Sequence, residues 1–279
     1  MQTSLLKDIL PSENLQRYVR KYQVSRFLFD APTAPPIKFH APRPEHCITF
    51  YIRDAQKFSY LNSPIIYTYP PCVINGMYTV PIHRYGGKDF WAIKVVLQPS
   101  VLFQIINLPL PEITNNYINA ADVWGSQIGL VCEQLSTLND LNEMVNVIET
   151  FLKQVLRNKN KGKHPIDEVA DYLLNSENGA SLDWLASQSC LSLRQFIRKF
   201  EERNGISAKT FQRIVRFDKA FRMKNTYPEL DWLSVAVRCD YHDYQHMVKD
   251  FKEFTYLKPP AFYELEKTSP ERSFGLVEA

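Results

Sequence analysis

Ser192-Leu193-Arg194-Gln195-Phe196-Ile197-Arg198-Lys199-Phe200-Glu201-Glu202-Arg203-Asn204-Gly205-Ile206-Ser207 is the stretch of this 279-residue chain from which the rest can be read. Ser192 and Gln195 have the spacing of a capping box, in which each side chain satisfies a backbone N–H that the first helical turn leaves free. Gly205 can adopt the left-handed stop, so a helix is predicted to end near Asn204. Within it Leu193, Phe196, Ile197 and Phe200 form the expected buried stripe. Arg194, Arg198 and Glu201 recur at i, i+4 and i+7 on another face.

The same punctuation extends in both directions. Ser181 caps a short helix over 182–188, Ser207 opens a longer one to about Asn225, and Asp231 caps another over 232–238. Asp243 begins a helix to about Phe254, and Pro259 suits the first residue of a last helix ending near Glu266. With an amphipathic helix over Ile166 to Leu174, residues 166–266 read as seven helices without strands. Two helix pairs, 182–188 with 192–204 and 232–238 with 243–254, have helix-turn-helix spacing, in which the second member can lie in a major groove. On the second such helix Met247, Phe251 and Phe254 face the core. Gln245, Lys249 and Lys252 share the other side.

Charge is informative only when localised. The chain is +3 overall, and from residue 160 onward 18 Lys+Arg face 18 Asp+Glu. Residues 194–224 nevertheless hold ten Lys+Arg against three Asp+Glu. A polyanion partner requires such a cluster, and a solvated helix face is the alternative.

The run Arg157-Asn158-Lys159-Asn160-Lys161-Gly162-Lys163-His164, followed by Pro165, reads as a linker (157–165). It separates a domain over 1–156 from one over 166–266, with 267–279 as a tail. In the first domain short β-branched and aromatic runs occur at 46–52, 57–60, 65–69, 73–80 and 90–97. Asn75-Gly76 offers a tight turn, and hairpin-connected strands in a sandwich or small barrel are expected. Helical periods flank them at Leu15, Tyr18, Val19 and Tyr22 and from Leu141 to Val155. The latter stripe is expected to pack on its own sandwich or to form a dimer seam. The fold class is α+β.

The 45% hydrophobic and 23% charged composition excludes a wholly disordered chain. No run of ~18 apolar residues predicts a membrane span, and no secretory signal is apparent at the start. Five cysteines without a C-x-x-C pair fit a reducing cytoplasm.

The run 192–200, Gly205-Ile206-Ser207, then Phe211, Arg216, Ala220, Phe251 and Pro259 resemble the AraC/XylS family of bacterial transcription regulators. The resemblance covers about 166–266. It implies two helix-turn-helix units joined by one long helix, with double-stranded DNA as partner and RNA polymerase as a further one. By position, base-facing residues fall on Arg194, Ile197 and Arg198, and on Tyr244, Gln245 and Lys249. Lys252 joins the second set by its helix face. Asp240-Tyr241 stands where the family has Gly-Phe. Loss of that glycine is expected to disturb the turn, although Asp tolerates the left-handed conformation better than most residues, and the second unit is expected to bind more weakly. Val95-Val96-Leu97-Gln98-Pro99 and Asp122-Val123-Trp124-Gly125 resemble the sensor domain of some members, implying a cupin-like fold that responds to an unknown small-molecule effector or partner protein. A monomer or a homodimer fits this picture.

Other chemistries are weaker. Cys239, His242 and His246 have C-x2-H-x3-H spacing without a fourth ligand, and His40, His46, Cys47 and His83 lack the H-x-H and Glu pattern of enzymatic cupins. No P-loop, Rossmann fingerprint, G-x-S-x-G or H-E-x-x-H occurs, so no cofactor, metal or catalytic residue is expected. Tyr51, Tyr60, Tyr67, Tyr69, Tyr78, Phe90 and Trp91 suit core packing first and a ligand pocket second. The competing reading is a cupin-type binding protein or enzyme whose helical domain serves interaction only.

Overall fold

The computed structural model describes residues 4–30, 34–157, 159, 164–176 and 179–278. Most of the expected linker, 158 and 160–163, lies outside the described residues.

Among the described residues ten strands build the first half: β1 (Leu5–Ile9), β2 (Val19–Leu28), β3 (Lys38–His40), β4 (Cys47–Tyr51), β5 (Lys57–Tyr60), β6 (Tyr67–Thr68), β7 (Cys72–Asn75), β8 (Ile82–Tyr85), β9 (Asp89–Leu97) and β10 (Tyr117–Asn119). They form two antiparallel sheets, in the orders β1-β2-β9-β4-β7-β10 and β3-β8-β5-β6. β4, β7 and the inner part of β9 are mostly apolar on both faces because each face is covered, with Thr49, Asn75 and Lys94 as the exceptions. One face of the larger sheet, through Ile48, Phe50, Ile74, Ile93 and Val95, packs on helices. The other, through Tyr51, Val73 and Ala92, packs on Phe58 and Ile82 of the smaller sheet.

Three expectations change here. The apolar period at Leu15, Tyr18, Val19 and Tyr22 is not helical: after a 3-10 turn at Glu13–Leu15 the chain enters β2, whose burial between two neighbouring strands overrides the local period. Most sequential strands alternate between sheets, so of the strand pairs adjacent in sequence only β1–β2 and β5–β6 are hydrogen-bonded among the described residues. Asn75-Gly76 is therefore not a hairpin turn. Gly76 passes so close to the Ile113 carbonyl that a Cβ would lie 1.9 Å from its oxygen, and its N–H donates to Asn116 O at 3.1 Å.

Four helices follow: α1 (Val101–Ile106), α2 (Ala120–Trp124), α3 (Ser126–Thr137) and α4 (Leu141–Leu156). Met144, Ile148, Phe151 and Leu152 of α4 are buried in the core that also holds the larger sheet, so this stripe packs on its own sandwich. Trp124 meets Phe151 edge to face at 5.1 Å.

The second half is helical, with α5 (Pro165–Asn175), α6 (Leu182–Gln188), α7 (Leu193–Asn204), α8 (Ala208–Thr226), α9 (Trp232–Arg238), α10 (Tyr244–Thr255) and α11 (Pro259–Glu266). Ser181, Ser192, Ser207, Asp231 and Asp243 each accept a first-turn N–H as N-caps, and Ser192 with Gln195 completes the capping box. Gly205 stops α7 at φ +82°. The core is an aromatic cluster around α8, where Phe217 lies 4.8 Å from Phe251 and 5.5 Å from Phe254. Among the described residues no helix is long and apolar enough to cross a membrane.

The halves are joined by more than the linker. The core of the helical half includes Phe39, Ala41 and Met77. Residues 267–278 of the expected tail return to the fold: after a 3-10 turn at Pro270–Phe274, Phe274 and Leu276 pack against the core between the sheets.

Candidate nucleic-acid interface

In each unit a short helix reaches a corner, four residues long (189–192) in the first and five (239–243) in the second, before the longer one begins. In the first, Cys190 is left-handed at φ +54° and the next N–H, of Leu191, returns to Ala186 O at 3.1 Å. In the second, Asp240 is left-handed at φ +59° and Tyr241 N–H returns to Ala236 O at 3.0 Å. Leu185 and Val235 are buried at matching places. The turn geometry thus survives the absence of glycine in both units. Asp240 has a further anchor, its Oδ2 accepting from Gly179 N–H at 2.8 Å.

On α7 only Phe196 and Phe200 carry the buried stripe. Leu193 is 39% exposed and Ile197 40% exposed. Both sit to the side of the line through 196, 200 and 204, and the neighbouring helices cover that line alone. Ile197 is accordingly available to a thymine methyl beside the exposed Arg194 and Arg198. On α10 Met247, Phe251 and Phe254 are buried, Gln245, Lys249 and Lys252 are exposed, and Tyr244 is half-buried. Every residue expected to face DNA therefore reaches the surface, Tyr244 only partly.

The basic run 194–224 is mostly occupied internally. Arg203 forks onto Asp167, Nε to Oδ1 at 2.8 Å and Nη2 to Oδ2 at 2.7 Å. Arg213 bonds Asp250 at 2.9 Å and Glu253 at 2.8 and 2.5 Å, contacts that hold Glu253 below the usual carboxylate range. Arg216 reaches Asp250 and stacks 4.6 Å over the Tyr241 ring. Lys224 donates to the carbonyls of Pro228 and Leu230 at 2.6 and 2.5 Å. Arg194, Arg198 and Lys209 form no ion pair or hydrogen bond with the described residues, and neither do Arg238, Lys249 and Lys252. Four of these six free cations lie on α7 and α10, with Lys209 at the start of α8 and Arg238 at the end of α9. Lys209 and Arg238 were not among the expected residues, although their helical phase opposite the buried Phe211 and Ala236 marks them as exposed.

The end of α7 is docked on the β-rich half. Ser100 Oγ donates to Asn204 Oδ1 at 3.1 Å, Thr114 Oγ1 to Gly205 O at 2.7 Å, and Gln104 Nε2 to Asp167 Oδ2 at 3.1 Å. Arg203 lies 4.7 Å over the Phe103 ring. The segment Leu110–Ile113 packs against α7.

Between the sheets lies a cavity of about 110 Å³, lined by Phe27, Tyr51, Phe90, Arg84, Lys94 and Glu278 among others. Tyr69 and Tyr78 pack into the adjoining core and Trp91 into the opposite one, whereas Tyr67 is 38% exposed. Lys94 pairs with Glu45 at 2.6 Å, and with Arg43 it brings the buried Glu45 carboxyl down to about 2 against the upward push of burial. Arg84 makes no ion pair with a described carboxylate, and its Nε is buried without a hydrogen-bond partner. His40, at the same cavity, is held neutral by burial and by Arg84, Arg43 and Lys94. The sequence signal for this cluster was a lone lysine within the otherwise apolar interior of β9. Among the described residues no group of three His, Cys, Asp or Glu side chains converges as metal ligands, and all five cysteines are free.

A family of helix-turn-helix domains matches residues 185–264. Among solved structures, ToxT from Vibrio cholerae is similar at 11% identity, over 88% of this chain and 98% of that one, with a TM-score of 0.48. ToxT has also been solved bound to an unsaturated fatty acid, similar at 11% identity over 92% and 98% of the two chains, with a TM-score of 0.45. The DNA-binding domain of the global transcriptional factor AdpA, solved with a target DNA, is 23% identical over 38% of this chain and 95% of that one, with a TM-score of 0.35. Comparison with curated protein sequences gives no match. The match over 185–264, on two capped helix pairs with the residue pattern described above, identifies an AraC-type helix-turn-helix domain in this chain.

Proposed function

We propose that the chain is a sequence-specific DNA-binding transcription regulator of the AraC/XylS type, with α7 and α10 as its base-reading helices. The supporting observation is that Arg194 and Arg198 of α7 and Lys249 and Lys252 of α10 are exposed and unpaired among the described residues, while Arg203, Arg213 and most others in the basic run are tied to partners within the protein. Arg194 and Arg198 suit guanine edges or phosphates, Gln245 suits adenine, and Lys249 and Lys252 suit phosphates. The nineteen residues of α8 span about 28 Å, close to the ~34 Å between successive major grooves. A cytoplasmic location and no catalytic role accompany this reading.

In this regulator the β-rich domain modulates DNA binding through the contacts at Asn204 and Gly205, because a shift of that domain moves the end of the first recognition helix. Coupling of ~1–3 kcal/mol is ordinary for such an arrangement. The unpaired Arg84 in an aromatic cavity suits a small anionic effector. Contact with RNA polymerase and pairing with a second copy belong to the same reading. The alternative, a small-molecule-binding protein whose helical half only mediates interaction, also uses the cavity but gives the unpaired cations on α7 and α10 no role.

A gel shift of the full chain on fragments of its host genome at ~50 mM salt tests the proposal. Retardation of a subset of fragments is expected, with loss of that subset in the Arg194→Ala, Arg198→Ala double variant. Absence of any retardation contradicts it.

A further inference from the structure

The segment after α11 re-enters the β-rich half. Phe274 stacks on Phe27 with 5.6 Å between centroids and 4° between planes, and lies 4.9 Å from Phe29. Further on, Glu278 Oε2 accepts from Arg43 Nη2 at 2.7 Å and lies 3.7 Å from Lys38 Nζ, while Gln23 Nε2 donates to Oε1 at 3.4 Å. The backbone is anchored as well, since Asn225 Nδ2 of α8 donates to Glu278 O at 2.9 Å and Arg272 Nη2 donates to Asn225 Oδ1 at 2.8 Å. Burial opposes a charge on Glu278, yet Arg43, Lys38, Arg222 and Lys94 outweigh it and hold the carboxyl well below its ordinary range.

These contacts have the chemistry of a bound amphipathic acid: a ring on an aromatic wall and a carboxylate on a cationic floor. The remaining space, about 110 Å³, is room for a few waters and falls short of the ~300–1,000 Å³ of ordinary small-molecule sites. A larger occupant must therefore displace the segment. Displacement also reaches the helical half, because Arg43 bonds Asp218 of α8 at 3.1 Å and Lys38 bonds Glu266 of α11 at 2.8 Å and Glu271 at 2.5 Å.

We propose that residues 270–278 are a resident ligand of the cavity between the sheets, with Glu278 holding the Arg43–Lys38 site that an incoming carboxylate must take. The proposal rests on the reading of the β-rich half as a sensor. Exchange of one carboxylate for another then frees Asn225 from the Glu278 carbonyl and gives Arg43, which also bonds Asp218, a new partner, so the occupant of the cavity is linked to α8.

Hydrogen exchange of the full chain, read over residues 270–278, tests this without DNA. Glu278→Gln is expected to speed exchange there at least ~10-fold, the loss of one charge-assisted bond. A tethered occupant acts at an effective concentration of order 1 mM, so benzoate at ~10 mM is expected to speed exchange in the unaltered chain, and neutral benzamide is not. A synthetic peptide of residues 269–279 should also bind a chain cut after Thr268, and its Glu278→Gln form at least ~10-fold more weakly. Unchanged exchange in the Glu278→Gln chain overturns the proposal even if the shortened chain fails to fold. Equal effects of benzoate and benzamide, or none, overturn the carboxylate competition. If benzoate releases the segment but leaves DNA affinity unchanged, the sensor reading fails and the resident ligand stands.

Discussion

The Thr114 hydroxyl donates to the Gly205 carbonyl at 2.7 Å, so the stop of α7 is bonded to the β-rich domain. A side chain at 205 is doubly disfavoured. The residue is left-handed at φ +82°, and a Cβ would lie 2.8 Å from Thr114 Oγ1 and 3.2 Å from Leu110 O. Gly205→Ala is expected to lower stability by ~1–3 kcal/mol, read as a lower urea midpoint at unchanged slope, and to weaken DNA binding by shifting α7. A midpoint within error of the unaltered chain contradicts this.

The two corners make opposite predictions. Cys190 is exposed and left-handed, and among the described residues its side chain has no partner. Cys190→Gly should therefore stabilise by about 0.5–1 kcal/mol, the left-handed strain relieved less the entropy that glycine adds to the unfolded chain. Asp240→Ala keeps the strain and loses the Gly179 bond, and should destabilise by ~1 kcal/mol. Thermal unfolding of both variants checks the sign.

His46 is 2% exposed, and burial pushes it down to about 4, against the smaller upward pull of the Asn204 backbone and Glu45. The unfolded chain protonates this residue near 6.5. Its stabilising contribution is thus full above pH 6.5 and is lost as pH falls from 6.5 to 4, by up to ~3 kcal/mol. His40 acts in the same direction. Urea unfolding at pH 4.5, 5.5 and 6.5 should show stability rising with pH, and His46→Asn should flatten that rise. An equally steep rise in the variant removes His46 as its source.

Salt dependence separates free from occupied cations. About five phosphate contacts give a slope near −4 to −5 in log K against log salt. Lys209→Gln should reduce its magnitude by about 0.9, whereas Arg203→Gln, whose charge rests on Asp167, should leave it unchanged. Equal changes in the two would return the whole basic run to the DNA face.

The helical half was legible because its signals are local. A capping serine or aspartate, a stop glycine and a 3.6-residue period each act within one or two turns, and Ser181, Ser192, Gly205, Asp231 and Asp243 all take those roles. The β-rich half was legible only in part. Strand pairing there is decided between distant segments, so the Tyr18–Tyr22 period gave way to a central strand and Asn75-Gly76 to a close approach on Ile113. At the interface, helix phase placed Arg198 and Lys249 on the surface, but charge counting overstated the cluster. The partners of Arg203 and Arg213, Asp167 and Asp250, are distant in sequence. The seating of Glu278 on Arg43 was illegible for the same reason.

Selection of binding sites from a random duplex library with the full chain tests the central claim most directly. The unaltered protein is expected to enrich a two-part site with its halves about one helical turn apart. Arg198→Ala should relax the preference at one base pair in one half, at a cost of ~1–3 kcal/mol, and Gln245→Ala should do the same in the other half. Selection that enriches no sequence, or an Arg198→Ala protein that keeps every base preference and loses only affinity, would contradict the assignment of α7 as a reading helix.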